Sequence, residues 1–550
     1  MMVKIATRIT AVFGAVGVSA LVGKNMQSLN SDSQVELLKI SGNRPNVGSP
    51  VNAANNPNHT KLPNADILDS SGKKMLSRLD VYHHARPEDC WVSYKDGVYN
   101  ITSFITMHPG GSKILLAAGQ AIDPFWHVFS IHNSTETLEL LETYRIGTLL
   151  PINLDKTAAL VPPPKGLEKL FANEPERDLS LIVKSARPCN AQASLKSLET
   201  KITPNRKFFV RNHLPVPLVT PAEFRLEISG PGIPDDFSVS LDELKALPSE
   251  SIEVTLQCAG NRRAEMHAVR PVKGLLWSSG AISNAVWTGV RLSHVLRLAG
   301  YTIIPEQSGT ISNVTQSSRN DDIKHVHFGG LDGYGASIPV EKALDPRADV
   351  LLVYEMNGEP LPRDHGFPLR ALVPGVVAAR SVKWVNKIEL SPDESLAHWQ
   401  QHDYKGFSPS KTLETSIYSE SQSIQELPVQ SAFISEKAHI ENGKIAFTGY
   451  AISGGGRAIN RVDVSTDGGK SWQDAVLDRQ PDQVKYNRNW AWTKWSLTVP
   501  DNGQKEIDMV CKAVDASYNS QPDSFEGIYN ARGVLVNAWQ RLKLAVERNQ

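Results

Sequence analysis

The stretch FITMHPGGSKILLAAG, residues 104–119, sets a histidine on a Pro-Gly-Gly turn and then runs into an apolar, helix-forming segment. A ring on so stiff a corner has two readings. His108 caps a loop, or it aims its imidazole at something fixed, such as a metal. The second reading needs a partner, and DPFWHVFSIHNSTETLELL, residues 123–141, offers His127 and His132. Two helical arms, each presenting one imidazole across a slot lined by Phe104, Leu116, Phe125, Phe129 and Leu141, would clamp a flat apolar macrocycle. Iron gripped by two histidines keeps no open position, so such a centre passes electrons and does not bind oxygen.

The segment from about 78 to 149 resembles a cytochrome b5 domain. The marks are HPGG, the 24-residue step from His108 to His132, and the closing YRIGTL. The resemblance implies that His108 and His132 are the axial ligands of a b-type haem. His127 falls where that family does not use a ligand. Glycines after Pro109 turn the chain sharply and let the backbone come close to a haem edge.

The chain has 550 residues, 21% of them charged, with a formal net charge of zero. No global field draws it to nucleic acid or to an anionic membrane. Its four cysteines, Cys90, Cys189, Cys258 and Cys511, are scattered and form no C-x-x-C pair. That excludes a disulfide scaffold and a zinc ribbon. Residues 1–31 hold Lys4, Arg8 and Lys24 but no Asp or Glu, around the apolar run ITAVFGAVGVSALVG at 9–23. The run is short for a permanent span, so no stable membrane segment is expected in the mature form. It reads as a secretory signal or a mitochondrial presequence. Sequons at Asn100 and Asn133 fall in the segment that would wall the haem, where glycans would intrude, so the mitochondrial reading is preferred.

Composition divides the rest. Residues 1–75 read as a presequence and disordered tether, and 76–150 as a compact haem-binding unit. CWVSYKDGVYNITSF there supplies two strands about an Asp-Gly turn, and Asp123-Pro124 is expected to break two helical stretches. Residues 151–169, with LVPPPKG, read as a Pro-rich hinge. Residues 170–405 mix strands (FRLEISG, SIEVTLQC, VLLVYEM, VKWVNKIEL) with short helices (SLDELKAL, LSHVLRLAG), an α+β pattern with long functional loops. From 406 to 550 alternation takes over, as in INRVDVSTDGGKSWQDAVL and WAWTKWSLTVP, which predicts an immunoglobulin-like β-sandwich.

Within 170–405, VTLQCAGNRRAEM ends a strand at Cys258 and continues into Arg262 and Arg263. Two guanidiniums would favour a thiolate, which makes Cys258 a candidate nucleophile or soft-metal ligand, beside the commoner reading of an inert buried thiol at a strand end. Other loops add Arg211 and His213 (FFVRNHLPVP), Arg363, His365 and Arg370 (PRDHGFPLR), and Arg380 and Lys383 (GVVAARSVKW). So many cations in the loops of a neutral chain imply a bound polyanion.

These motifs, in this order, resemble the sulfite oxidase family of molybdenum enzymes, and the chain from about 78 to 550 is similar to its animal-type members. The resemblance implies a molybdenum–molybdopterin group held through Cys258, with pterin and phosphate contacts at Phe209, Val210, Arg211, Asn212, His213, Asp332, His365, Arg370, Ser381, Val382 and Lys383. It places the substrate pocket at Arg211, Arg263, Trp277, Tyr404 and Arg532, with Cys258 at the metal. The segment 305–326 is longer than the family pattern and the loop after Asp332 shorter, which puts Asp332 in most doubt. The resemblance further implies sulfite as substrate, cytochrome c as acceptor, a homodimer and the mitochondrial intermembrane space. Two rivals stand beside it. Assimilatory nitrate reductase shares the modules but places its haem domain after the sandwich and ahead of a flavin reductase, whereas here the haem segment comes first and the chain stops at Gln550. A non-catalytic haem electron carrier or adaptor would need His108 and His132 but neither Cys258 nor the arginines.

Overall fold

A computed structural model of the chain describes residues 68–69, 72–108, 111–129, 132, 135–162, 166–301, 323–435, 438–479 and 488–547. The presequence, most of the tether, Pro109 and Gly110, Asn133, the His127 side chain, part of the proline run and most of 305–326 lie outside the described residues.

The first unit is a small mixed sheet carrying helices. Asp89–Tyr94 and Gly97–Asn100 pair as the expected hairpin, Tyr94 opposite Gly97. Gly97–Asn100 also pairs with Arg145–Leu149, which runs parallel to Met75–Leu76. Ser77 starts the helix Arg78–His83 with a capping box: its hydroxyl accepts from Asp80 N–H while Asp80 accepts from Ser77 N–H. Asp123-Pro124, expected as the break between two helical stretches, lies between the 3₁₀ turn Gly111–Ala117 and the helix Asp123–Val128, whose first turn it forms. Proline in a first turn removes only a donor that has no intrahelical partner. With the 3₁₀ turns Thr102–Met107 and Gly111–Ala117 and the helix Thr135–Glu142, it encloses a slot over a core of Cys90, Val92, Tyr99, Ile101 and Leu141.

The segment read as a hinge is fastened to this unit on both sides of its prolines. Asp155 is buried, accepts from Arg78 N–H at 2.8 Å and pairs with the Arg78 guanidinium at 3.2 Å. The helix Gly166–Leu170 lays Leu170 against the unit's core.

The second unit is built on two five-stranded sheets and one of three strands. Arg225–Ser229, Ser249–Gln257, Leu351–Met356 and Val385–Ser391 fall on the four predicted strands, and Leu241–Lys245 and Leu292–Leu298 on the two predicted helices. The longest ladder joins Ser249–Gln257 to Ile282–Arg291 without a slip, from Ser249 opposite Val290 to Gln257 opposite Ile282. Val254, Leu256, Ala285 and Trp287 from its inner face are fully buried. Register here is fixed by that apolar face, because a one-residue slip would turn it outward.

The C-terminal region is β-rich. Among the described residues a path of eight strands, with a ninth branching from it, folds on itself and is joined where Ala438–Glu441 runs parallel to Gln540–Glu547. Phe447 and Trp495 from one half meet Val462, Met509 and Cys511 from the other in one core, the layered arrangement that the alternation predicted. This region also reaches into the second unit: Trp490 joins the core beneath the long ladder, and Tyr450 and Trp492 pack against Ile282 and Leu198.

Candidate functional site

Cys258 stands one residue beyond the long ladder, so the hairpin aims it. Its N–H donates to Ala281 O at 2.9 Å, and its carbonyl accepts from Asn261 N–H at 2.9 Å. Asn261 is buried and locks the turn, donating to the Tyr450 hydroxyl and accepting from Ala281 N–H. Cys258 is a buried free thiol. The flanking arginines part company, contrary to expectation. Arg262 adopts φ +64°, which turns its side chain away from Cys258; it bonds Glu265 and the Ser431 carbonyl of the C-terminal region. Arg263 faces Cys258 across a pocket.

Two cavities meet at Cys258. The first, of about 630 Å³, is lined by Phe208, Phe209, Asp332, Tyr334, Asp364, His365, Arg370, Ser381, Val382, Lys383 and Trp384. The second is lined by Asn190, Arg263, Leu275, Trp277, His398, Trp399, Asp403 and Arg532, and by Val128 and Phe129 of the first unit. Arg211, His213, Cys258 and Tyr404 belong to both. Val210 and Asn212 do not line either. Val210 packs with Leu181, Cys189 and Ala191, and Asn212 stands behind the wall, bonded to Asp364 and Lys383.

The first cavity fits an anionic cofactor. Arg370 is buried over the Trp287 ring, its Nη1 donates to the His365 carbonyl, and its Nε has no partner among the described residues. Burial alone pushes its pKa down to about 9. A guanidinium sunk without a counter-charge is costly, and a phosphate beside it removes the cost. Burial takes Lys383 down to about 7, against the support of Asp364. It takes His365 to about 4, so that ring is neutral. His365 Nε2 lies 3.1 Å from the Asn205 carbonyl, an acceptor only, so Nε2 carries the proton and Nδ1 is left to accept. Asp332 accepts from Tyr334 N–H at 3.0 Å and is raised to about 6 by burial.

The second cavity is built for a small oxyanion. Arg211 donates to Asn190 Oδ1 and to the Asn212 carbonyl; Arg263 donates to the Gly533 and Leu275 carbonyls. All four acceptors are neutral, so both charges stay available. Arg532 differs from expectation, because its charge is shared with Asp403 through a direct ion pair. Trp277, fully buried, supplies an apolar wall. The Tyr404 hydroxyl lies 2.7 Å from His213 Nε2. Burial, with Asp403 and Cys258 adding, pushes Tyr404 up to about 12, so it remains a donor. Burial, with Arg211 and Lys383 adding, holds His213 well below the usual histidine range.

In the first unit the rings of His108 and His132 have centroids 6.1 Å apart and planes 6° from parallel. That gap is about two metal–nitrogen bonds of ~2 Å plus two ring radii of ~1 Å. His132 Nδ1 sits 2.9 Å from the Phe129 carbonyl, so Nδ1 carries the proton and Nε2 offers its lone pair. Phe104 and Phe129 stand edge-on to the two rings, and Leu116, Phe125 and Leu141 join the surrounding apolar cluster. The slot fits a two-sided haem.

Sequence reasoning missed Asn190, Phe208, Tyr334, Asp364, His398, Trp399 and Asp403. Phe208 and Asp364 lie inside the quoted runs FFVRNHLPVP and PRDHGFPLR, and Asp403 stands beside Tyr404, so each had a local signal; fold topology brings in the others.

Residues 77–150 match the family described as "Cytochrome b5-like Heme/Steroid binding domain". Residues 213–399 match "Oxidoreductase molybdopterin binding domain", and 421–547 match "Mo-co oxidoreductase dimerisation domain". The chain is 48% identical over 484 residues to "Sulfite oxidase, mitochondrial" of Homo sapiens, covering 86% of this chain and 84% of that protein. It is 48% identical over 479 residues to "Sulfite oxidase" of Gallus gallus, covering 84% and 98% respectively. The crystal structure of the sulfane dehydrogenase SoxCD from Paracoccus pantotrophus superposes with a TM-score of 0.54 at 24% identity, over 73% of this chain and 96% of that one, a likeness of fold. Among the described residues no helix is long and apolar enough to cross a membrane. The paired histidines, the cysteine between two cavities and these matches agree: the chain belongs to the sulfite oxidase family, molybdenum oxidoreductases with a cytochrome b5-type haem domain and a dimerisation domain.

Proposed function

We propose that this chain oxidises sulfite to sulfate and passes the electrons through its haem to cytochrome c. One observation carries the reading: Cys258 lies where a cationic cleft meets an arginine-lined anion pocket. Cys258 would hold molybdenum; Phe209, Asp332, His365, Arg370, Ser381, Val382 and Lys383 would line the cleft for the pterin and its phosphate, with Val210 and Asn212 supporting them from behind. When bound, the molybdenum–pterin group would supply oxygen-atom transfer and two-electron redox chemistry, and a haem held by His108 and His132 one-electron transfer.

The protein's own residues do the rest. Arg211 and Arg263 bind and orient sulfite, matching its charge and hydrogen-bond geometry as lysine would not. Arg532, tempered by Asp403, completes the pocket from the C-terminal region. Trp277 and Phe129 exclude bulk water, which strengthens each of those bonds. Forming sulfate from sulfite and water releases two protons, and the Tyr404 hydroxyl, held by neutral His213, stands at the pocket as a hydrogen-bonding group.

The reading includes a homodimer, a division near 75, 150, 169 and 405, and a movable haem unit. It places the protein in mitochondria, from the acid-free N-terminus and the names of its relatives, and in the intermembrane space, where cytochrome c is found. An optical spectrum during sulfite addition tests it. The haem bands of molybdenum-loaded protein shift to the ferrous form; bands that stay ferric overturn the reading. Iron without molybdenum would support the adaptor, and reoxidation by nitrate the nitrate reductase alternative.

A further inference from the structure

Lys383 and Asn212 stand at the cofactor cleft on segments that are far apart in sequence, and both are held at Asp364. The Asp364 carboxylate accepts from Asn212 Nδ2 at 2.9 Å, and its carbonyl accepts from Lys383 Nζ at 2.8 Å. With Asn212 Nδ2 committed to a carboxylate, Asn212 Oδ1 must face the other way, where it meets the Lys383 ammonium. His365, next in the chain, gives its carbonyl to Arg370. The Asp364 side chain therefore orients Asn212 directly and Lys383 through Asn212 Oδ1, while the backbone carbonyls of Asp364 and His365 take bonds from Lys383 and Arg370.

Asp364 is itself an acid lining a cleft built for an anion. Left alone it would repel the ligand. Arg177 removes the conflict. Its Nε donates to Asp364 Oδ2 and its Nη2 to Asp364 Oδ1, both at 2.9 Å, a two-pronged pair with Asp364 buried. Burial opposes ionisation of Asp364, but the bonds and charge of Arg177 outweigh it and hold the carboxyl below its usual range. Glu174 takes another Arg177 hydrogen and accepts from Val216 N–H at 2.9 Å, tying the arginine to the second unit. Arg177 lies just past the helix Gly166–Leu170 that packs on the first unit.

We infer that Arg177 and Asp364 are positioning residues for the molybdopterin cleft, Asp364 aligning Asn212 and Lys383 and Arg177 cancelling the charge that would otherwise repel the cofactor. The inference rests on the molybdenum reading above and adds two residues to it. It also makes the far end of the haem tether and the cofactor cleft share one ion pair.

The test uses the full chain with Arg177→Gln, Arg177→Lys and Glu174→Gln. Molybdenum per chain, pterin released per hour on dilution, haem absorbance and melting temperature are measured together. Loss of a buried orienting partner weakens retention of a bound group by about 10–100-fold. Arg177→Gln accordingly loses pterin that much faster and is isolated with little molybdenum and full haem. Arg177→Lys, which keeps the charge but not the fork, falls between, and Glu174→Gln retains its cofactor. In the fraction still loaded, KM for sulfite stays at the wild-type value while kcat per chain falls with molybdenum content. Folded Arg177→Gln protein with wild-type molybdenum and pterin release overturns the inference. If that variant aggregates, Arg177→Lys decides, and retention equal to wild type is the overturning result. Wild-type chain devoid of molybdenum would instead overturn the parent reading, and the inference with it.

Discussion

His132 Nδ1 lies 2.9 Å from the Phe129 carbonyl oxygen, and the Phe129 ring lines the anion pocket of the second unit. The residue that orients a haem ligand thus also touches the wall of the substrate site. Phe129→Ala keeps the carbonyl and removes the ring. The haem spectrum should be unchanged, while haem reduction by sulfite slows by about tenfold, within the range of measured site-to-site couplings. Turnover with an artificial acceptor that draws electrons directly from molybdenum should hold. Equal slowing in both assays would refute a coupling role for the ring.

Replacing the Cys258 sulfur with oxygen removes the soft ligand but little volume. Cys258→Ser should cut sulfite turnover by more than about 100-fold, with ferric and ferrous haem bands intact. Wild-type turnover in that variant would show that Cys258 is not a ligand.

Asp403 tempers Arg532 in a pocket that also holds Arg211 and Arg263. Removing a unit charge ~6 Å from a bound anion, at an effective dielectric near 20, changes affinity by about 1–3 kcal/mol. Asp403→Asn should therefore tighten product inhibition by sulfate about tenfold or more and lower the melting temperature when no anion is present. Weaker sulfate inhibition would contradict the assignment.

Burial pushes His365 and His398 to about 4 and also lowers His213, so all three fold as neutral rings. Between the unfolded value near 6.5 and the folded value, the unfolded chain binds more protons, so stability is present above pH ~6.5 and falls as the pH drops toward 4. Each fully titrated ring contributes up to ~3 kcal/mol. Melting temperature should drop steeply from pH 6.5 to 4.5. In His398→Gln, which removes a ring outside the cofactor cleft, the drop should be shallower; an identical acid limb would rule His398 out as a source.

The proposed haem pair had a local signal: HPGG marks His108, and the resemblance to cytochrome b5 chose His132 over His127. Strands such as Leu351–Met356 were legible because an apolar run between turn residues has few other fates. Arg262 was misread because sequence shows two adjacent arginines but not the left-handed φ that sends one of them away. The break at Asp123-Pro124 was legible because proline cannot continue a preceding helix but is compatible with the first turn of the next. The pairing of Asp364 with Arg177 was invisible, since it is a contact across 187 residues.

Gly533 O holds Arg263, and Leu535 N–H donates to Ala259 O beside Cys258. A segment of the region that matches a dimerisation family is thereby a structural wall of the catalytic chamber. Subunit pairing and catalysis cannot be uncoupled by simple truncation, and damage to the pairing module should register first as poor anion capture.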